Sequence, residues 1–172
     1  GYVFDSLQAS SMLVYKLNSD GSADTTFNGT GYIDSKITGA LFWSVNEDAD
    51  GKILASGLNH DLPVTFLKMA LIRYNNDGSL DSSFNGNGKL FYDATALGYT
   101  GSAGTKTTFD SAGNILLSGA FFTGAISALS SGPPPLQLAV WRFKPNGTPS
   151  NFGNKTSNVD GSGNIIRTGY YT

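Results

Sequence analysis

The side chains that most often carry out catalysis are scarce in this chain of 172 residues. It has no cysteine and one histidine, His60, which lies in a polar stretch before Pro63 that we predict to be a turn. A nucleophilic triad needs a base held beside the nucleophile, and zinc needs several cysteine or histidine ligands. Because a histidine in a turn is ordinarily a solvated residue, we expect no catalytic residues and no enzyme activity.

Carboxylates spaced four residues apart are a second kind of candidate. Asp20 and Asp24 form one such pair, and Asp77 and Asp81 form another. Paired carboxylates can hydrolyse glycosidic bonds as an acid and a base. However, the two pairs recur at the same place in two copies of a repeat, which is typical of an architectural role. We therefore predict that the first aspartate of each pair shapes an Asp-Gly turn and that the second caps the next turn.

The same aspartates leave calcium open as an alternative. Asn18, Asp20 and Asp24 are spaced as in the inner part of a calcium-binding loop, where oxygen atoms surround a hard cation. The first ligand and the final bidentate glutamate of an EF-hand are missing. A third copy of the pattern has Asn146 and Ser150 in place of the aspartates. We predict no cofactor and no metal site, with calcium as the one alternative.

Exposed aromatic side chains beside Asn and Asp are the usual composition of a sugar-binding face, through ring stacking and amide hydrogen bonds. Several aromatic residues of this chain do not follow its repeat, and several of them flank long connections. The alternative is that they cover sheet edges or a subunit contact. The candidate ligand-binding residues are Trp43, Tyr99, Phe121, Phe122, Tyr170 and Tyr171.

The elements that position these residues come from an internal repeat. Two motifs recur in the same order three times, which marks a repeat architecture. The first begins with a short apolar run and continues into an Asp-Gly or Asn-Gly turn; the second is a turn followed by an Ile-Leu or Ile-Ile run that ends in glycine. The first motif spans 13–29, 70–86 and 139–153, and the second spans 50–57, 112–119 and 162–169.

Each repeat unit is predicted to be β-structure. Short runs that contain Val, Ile and Tyr are bounded by Asp-Gly and Gly, which indicates strands joined by tight turns. We expect strands at Leu13–Leu17, Gly31–Ile37, Leu41–Asn46 and Lys52–Ser56. Four strands in roughly 60 residues suggest a propeller blade. The predicted fold is all-β: a β-propeller-like repeat array of about three four-stranded blades, the last one shortened.

We predict one domain over residues 1–172, with repeat units at about 12–68, 69–137 and 138–172. Residues 1–11 resemble the end of a preceding unit. An ordinary propeller closes with four to eight blades, and open β edges invite pairing with another chain. We therefore expect a homo-oligomer, for which a trimer is plausible, or flanking repeats.

Aromatic residues that we interpret as repeating in register are predicted to form the core. They are Tyr15, Tyr74, Phe143, Phe27, Phe84 and Phe152. On this view Tyr15 and Tyr74 have like surroundings.

The segment from Arg73 to Gly88 resembles the delta-60 repeat, whose pattern runs approximately Arg-Tyr-Asn-x-Asp-Gly-Ser-Leu-Asp, two small residues, Phe and Gly. The segment Asp50–Ile53 is similar to a later Asp-Gly-Lys-Ile of that family. The third copy departs from the pattern at Pro145 and Pro149. The resemblance implies propeller-like arrays in exported or surface proteins of bacteria, and it carries no catalytic residues to transfer.

The low content of charged residues limits the classes of partner that we expect. Charged residues are 14% of the chain, against a usual share of about 25%, and the net charge is −2. Since the chain has no basic stripe and no long apolar run, we expect neither nucleic-acid binding nor membrane insertion. Our first hypothesis is an extracellular recognition or adhesion module of a bacterial surface or fibre protein that binds glycans or envelope polymers. The alternative is a structural module that mediates self-association and has no ligand of its own.

Overall fold

The computed structural model describes residues 2–4, 10–60, 66–123, 136–150, 158–159 and 165–166, and those residues form strands, turns and a single 3-10 turn at Thr95–Leu97. None of them forms a helix long and apolar enough to cross a bilayer. The strands are β1 (Tyr2–Phe4), β2 (Ser10–Tyr15), β3 (Tyr32–Asp34), β4 (Ala40–Glu47), β5 (Ile53–His60), β6 (Leu67–Tyr74), β7 (Lys89–Tyr92), β8 (Gly101–Phe109), β9 (Ile115–Phe122), β10 (Leu136–Phe143), β11 (Asn158–Val159) and β12 (Ile165–Ile166).

The strands form antiparallel meanders that we call blades. Blade 2 is the four-stranded sheet β4-β5-β6-β7, blade 1 is β1-β2-β3, and blade 3 is β8-β9-β10. Strands β11 and β12 form a separate hairpin. Blades 2 and 3 touch through one parallel bridge, between Leu67 and Gly101. This arrangement confirms the predicted all-β, propeller-like repeat fold. Most of the segment in which the third copy is shortened lies outside the described residues.

The boundaries of the blades do not coincide with the boundaries of the sequence units. The unit at 12–68 contains β2 and β3 of blade 1 and then β4 and β5 of blade 2. The next unit, 69–137, joins blades 2 and 3 in the same way. These two sequence units therefore each tie two neighbouring blades together covalently. The faces that neighbouring blades turn toward each other are buried.

Two hydrophobic clusters lie between the blades. In the first, the apolar side chains of blade 1 pack on those of blade 2; they are Val14, Phe27 and Ile33 against Ile53, Ala55, Ile72 and Tyr74. In the second, blade 2 packs on blade 3; the residues are Leu54, Met69, Leu71, Phe84 and Leu90 against Ile115, Leu117, Ala139, Trp141 and Phe143. We call the face of a blade that meets the preceding blade its front face, and the opposite face its back face.

The prediction that Tyr15 and Tyr74 share like surroundings is wrong. Tyr15 is 56% exposed, whereas Tyr74 is 2% exposed. The two are not equivalent positions: when the copies are aligned on their Asp-Gly turns, Tyr15 matches Ile72 and Leu17 matches Tyr74. All four belong to front faces, and the difference arises because blade 1 covers the front of blade 2 while no described residue covers the front of blade 1.

The Asp-Gly turns have the predicted structure. Asp20 Oδ1 accepts hydrogen bonds from the backbone N–H and the hydroxyl of Ser22, at 2.9 and 2.6 Å. Asp77 accepts the same pair from Ser79. The glycine that follows has a φ of 85° in the first copy and 91° in the second, a left-handed conformation that glycine adopts without strain. These aspartates therefore shape turns, as the sequence predicts.

Replacing Phe84 with alanine tests the contribution of the interface between blades. Phe84 is fully buried between blades 2 and 3, so Phe84→Ala is expected to lower the free energy of unfolding by about 3–5 kcal/mol. The control is Phe91→Ala on the outer strand β7, where the ring is exposed and the expected loss is below about 1 kcal/mol. Urea denaturation measures both, and equal losses would contradict the assignment.

Candidate functional site

A cluster of charged side chains joins blade 2 to blade 3 beside the turns. Arg73 Nε and Lys52 Nζ both donate to Asp81 Oδ2, each at 2.7 Å. Arg73 also donates to the hydroxyl of Ser83 and, across the interface, to the carbonyl of Pro145. Its guanidinium lies 4.9 Å from the centroid of the Phe84 ring. One buried carboxylate thus fixes two cations, one of which reaches the next blade.

We call the group of Lys52, Arg73 and Asp81 the clamp. The first copy has a similar group made of different residues. Lys16 matches Arg73, and its Nζ donates to the side chain of Asn76, the position that matches Pro145. Backbone bonds follow the same rule: Asn28 N–H donates to the carbonyl of Asp77 at 2.7 Å, and Asn85 N–H donates to that of Asn146 at 2.8 Å. The Phe-Asn-Gly turn of each of the first two copies is therefore bonded to the Asp-Gly or Asn-Gly turn of the next copy.

The third copy differs because its aspartate has been lost. Ser150 stands where the earlier copies have Asp24 and Asp81. Arg142, which matches Arg73, pairs instead with Asp110 at 2.7 Å. The substitution that the sequence shows at this turn is thus compensated by a carboxylate from the neighbouring hairpin of the same blade.

The recurring aspartates are held in their ionised form. Burial works to raise the pKa of Asp81, but hydrogen bonds from Lys52 and Ser83 and the charge of Arg73 outweigh it and hold the pKa well below its ordinary value. Asp110 follows the same pattern, since burial is opposed by Arg142 and Asn114 and the pKa falls to about 2. These carboxylates accept hydrogen bonds at neutral pH and are unsuited to act as general acids.

A cleft of about 370 Å³ opens beside the clamp, between blades 2 and 3. Its polar lining comes from Asp48, Asp50, Lys52, Arg73, Ser83 and Asn146. Both cations are already engaged by Asp81, so the cleft offers no free cation from this pair. Among the described residues, no three His, Cys, Asp or Glu side chains gather closely enough to hold a metal ion.

Two of the predicted ligand-binding residues lie together and are half-buried beside the hydrophobic cluster between blades 2 and 3. The rings of Tyr99 and Phe121 are stacked, with centroids 4.3 Å apart and an interplanar angle of 8°. The Tyr99 hydroxyl donates to the side chain of Gln137, and Phe121 meets Trp141 edge to face at 5.1 Å. Tyr92 completes this cluster, 6.1 Å from Trp141. Sequence reasoning missed Trp141 and Tyr92, although Trp141 matches the apolar position of Ile72 in the repeat.

Trp43 lies apart from that cluster, on β4. It occupies a β-bulge between Phe42 and Ser44, and its side chain is 52% exposed. Strand β8 has a bulge at the matching place, where Thr105 is also exposed. The exposure is shared although blade 2 places β4 before β8, whereas the described residues of blade 1 place no equivalent strand before β4. The bulge itself therefore directs this side chain to solvent.

The other candidates are less informative. Phe122 is half-buried at the end of β9, where it pairs with Gly101 and Leu136. Tyr170 and Tyr171 lie outside the described residues. His60 is the last residue of β5 and not part of a turn as predicted, because β5 continues its pairing with β6 as far as Leu67.

Replacing Asp81 with asparagine tests the clamp and its pH dependence. Breaking a buried ion pair leaves Arg73 and Lys52 without their counter-charge, so Asp81→Asn is expected to cost about 3–5 kcal/mol at pH 7. A depressed pKa contributes stability above the unfolded value of about 3.9 and loses it as the pH falls. The gap between wild type and variant should therefore narrow by about 1 kcal/mol at pH 3.

The measurement is urea unfolding at both pH values, with the exposed Asp50→Asn as the matched control. A gap that stayed constant between pH 7 and pH 3 would contradict the assigned role of the Asp81 charge.

Comparison with known proteins agrees with the fold. Residues 4–27 and 49–84, about a third of the chain, match a family described as "Domain of unknown function (DUF5122) beta-propeller". No curated protein matches the chain. The matched segments contain the Asp-Gly turn of the first copy, the second motif, and the clamp residues Lys52, Arg73 and Asp81. The chain thus carries repeats of a β-propeller type, and the finer assignment to the delta-60 repeat stays a prediction.

Proposed function

We propose that this chain is a non-catalytic structural module whose role is to join β-propeller blades into a larger assembly. The observation that carries the proposal is the front face of blade 1. The positions of Tyr15 and Leu17 match Ile72 and Tyr74 in blade 2, and Trp141 and Phe143 in blade 3. All four matching side chains are buried under the preceding blade, whereas Tyr15 and Leu17 are 56% and 58% exposed.

The exposed front face carries large apolar side chains that contact one another. Tyr32 pairs with Tyr15 across β2 and β3, and their rings lie 5.5 Å apart. Fully burying one large apolar side chain contributes about 1.5–3 kcal/mol, and contiguous exposed apolar patches mark interaction sites. A face of this composition therefore favours a partner that covers it.

The proposal that the chain is not an enzyme rests on the surroundings of its carboxylates. The carboxylates that recur in the sequence accept hydrogen bonds from neighbouring turns or pair with cations of the clamp. None of the described carboxylates forms a pair with the environment of a general acid beside a general base.

The first test of this function is the double variant Tyr15→Ser/Leu17→Ser. Because both side chains lose the apolar area that a partner would cover, association should weaken at least tenfold. Light scattering across a range of protein concentrations reports the molar mass. The control is Leu97→Ser, since Leu97 is also 58% exposed but lies on the 3-10 turn away from the front face. Association that persisted unchanged in the double variant would contradict the proposal.

Recognition of glycans or bacterial envelope polymers is a second candidate, and Trp43 is the observation that favours it. An indole that a β-bulge holds exposed can stack on a sugar ring without any rearrangement of the blades. On this reading Trp43 would be the centre of the binding face, and Tyr99 and Phe121 would support the scaffold. Extracellular location on a bacterial surface or fibre remains a proposal that rests on the resemblance to the delta-60 repeat.

The test of recognition uses a glycan array together with whole bacterial envelopes. Binding should fall at least tenfold in Trp43→Ala while the molar mass in solution is unchanged, because one stacking platform is lost and the blade interfaces remain. Phe66→Ala, which removes another exposed aromatic ring, is the matched control. No binding by the wild type to either array or envelopes would exclude this second candidate.

A further inference from the structure

We propose that the front face of blade 1 docks onto the back face of blade 3 of a second copy of this chain, so that two copies close head to tail into one six-bladed ring. This inference rests on the structural function proposed above and adds the partner and its orientation. Both faces are open in the described residues, and each matches a face that is covered elsewhere in the same chain.

The back face of blade 3 is the counterpart of the exposed front face. Leu138 matches Met12 and Met69, which are 5% and 0% exposed, yet Leu138 itself is 43% exposed. Val140 is half-buried, whereas the matching Val14 and Leu71 are buried. The residue types at these positions stay apolar although no described residue covers them, so this face has the composition of an interface.

Each interface within the chain sets a back face against a front face. The back of blade 1 covers the front of blade 2, and the back of blade 2 covers the front of blade 3. A third interface of the same kind needs only that the back of blade 3 meet a front face, and the front of blade 1 is the one left open. The proposed contact therefore continues an interface geometry that the chain already contains twice.

The turns provide independent support. A Cβ placed on Gly78 would lie 3.0 Å from Asn28 of the preceding copy, and one placed on Gly147 would lie 2.9 Å from the ring of Phe84. At the matching Gly21 no atom lies within 4 Å of such a Cβ. Residues of the preceding copy thus fill the space beside Gly78 and Gly147, whereas the corresponding space beside Gly21 is open.

The edge of blade 1 that corresponds to β4 of blade 2, which we call the inner edge, indicates the same partner. Among the described residues, blade 1 has no strand equivalent to β4. Val45 on β4 is therefore 52% exposed, whereas the matching Thr107 on β8 is buried and bonded to Ser44 and Asn46 of blade 2. The hairpin β11–β12 pairs Val159 with Ile165 in the register that Phe109 and Ile115 have in blade 3. In the ring, this hairpin of one copy would occupy the missing inner edge of the other.

A ring of two copies also follows from blade number. A heterologous interface forms rings when the rotation closes, and propellers close with four to eight blades. The described residues of one copy form three blades, so those of two copies would form six and those of three copies would form nine. Two copies are therefore the number that fits, rather than the trimer that the sequence suggested as plausible.

The test uses two variants of the full chain, each blocking one face with a charge at an exposed position. Leu17→Lys blocks the front face and Leu138→Lys blocks the back face. The wild type should have twice the mass of the chain, and each variant alone should be monomeric at the same concentration. An equimolar mixture should regain dimers, because the intact back of one variant meets the intact front of the other. Leu97→Lys is the control and should remain dimeric.

The outcomes separate this inference from the function on which it rests. If Leu138→Lys still dimerises alone while Leu17→Lys does not, copies meet front to front; the structural function stands and the head-to-tail inference is overturned. If the mixture stays monomeric, the inference is likewise overturned. A wild type that is monomeric at every concentration overturns the second copy as partner and leaves a flanking blade as the occupant. Circular dichroism of each variant confirms that loss of association is not loss of folding.

Discussion

The structure depends on the burial of the back face of one blade against the front face of the next. A sheet of three or four strands with apolar residues on both faces cannot shelter either face by itself. The two hydrophobic clusters are accordingly interfaces between blades, and neither is the interior of a single blade. Stability in such an array is a property of neighbouring pairs. Blade 1, whose front face no described residue covers, accordingly exposes the positions that blade 2 buries.

The clamp at the turns gives this packing a defined register. Apolar contact alone is non-directional, so it would allow blades to slide over one another. Arg73 removes that freedom, because it is fixed by Asp81 within its own blade and donates to a carbonyl in the next. Buried ion pairs add little net stability but can specify one arrangement, and we interpret the clamp in this way. The match of residues 4–27 and 49–84 to a β-propeller family includes the residues that form it.

Glycine in the middle of β5 and β9 is connected with the exposure of the side chain at the bulge of the neighbouring strand. A Cβ on Gly57 would lie 1.8 Å from the carbonyl oxygen of Leu41, and one on Gly119 would lie 2.0 Å from that of Ala103. This close backbone approach coincides in both blades with a bulge in the paired strand, and bulges re-aim side chains. Trp43 is exposed as a result, and the proposal of glycan recognition rests on this exposure.

Local chemistry in the sequence determined the repeat, the strands and the turns. Asp20 and Asp77 shape their turns through bonds to residues two positions away, so their role could be predicted from spacing alone. Tertiary structure decided everything that depends on a neighbour. Tyr74 is buried because blade 1 covers it, whereas Tyr15 is exposed because no described residue covers the front of blade 1. Tyr99 and Phe121 stack although 22 positions separate them in the sequence. Residue type specifies that a face is apolar, but only the arrangement of blades determines whether that face is covered.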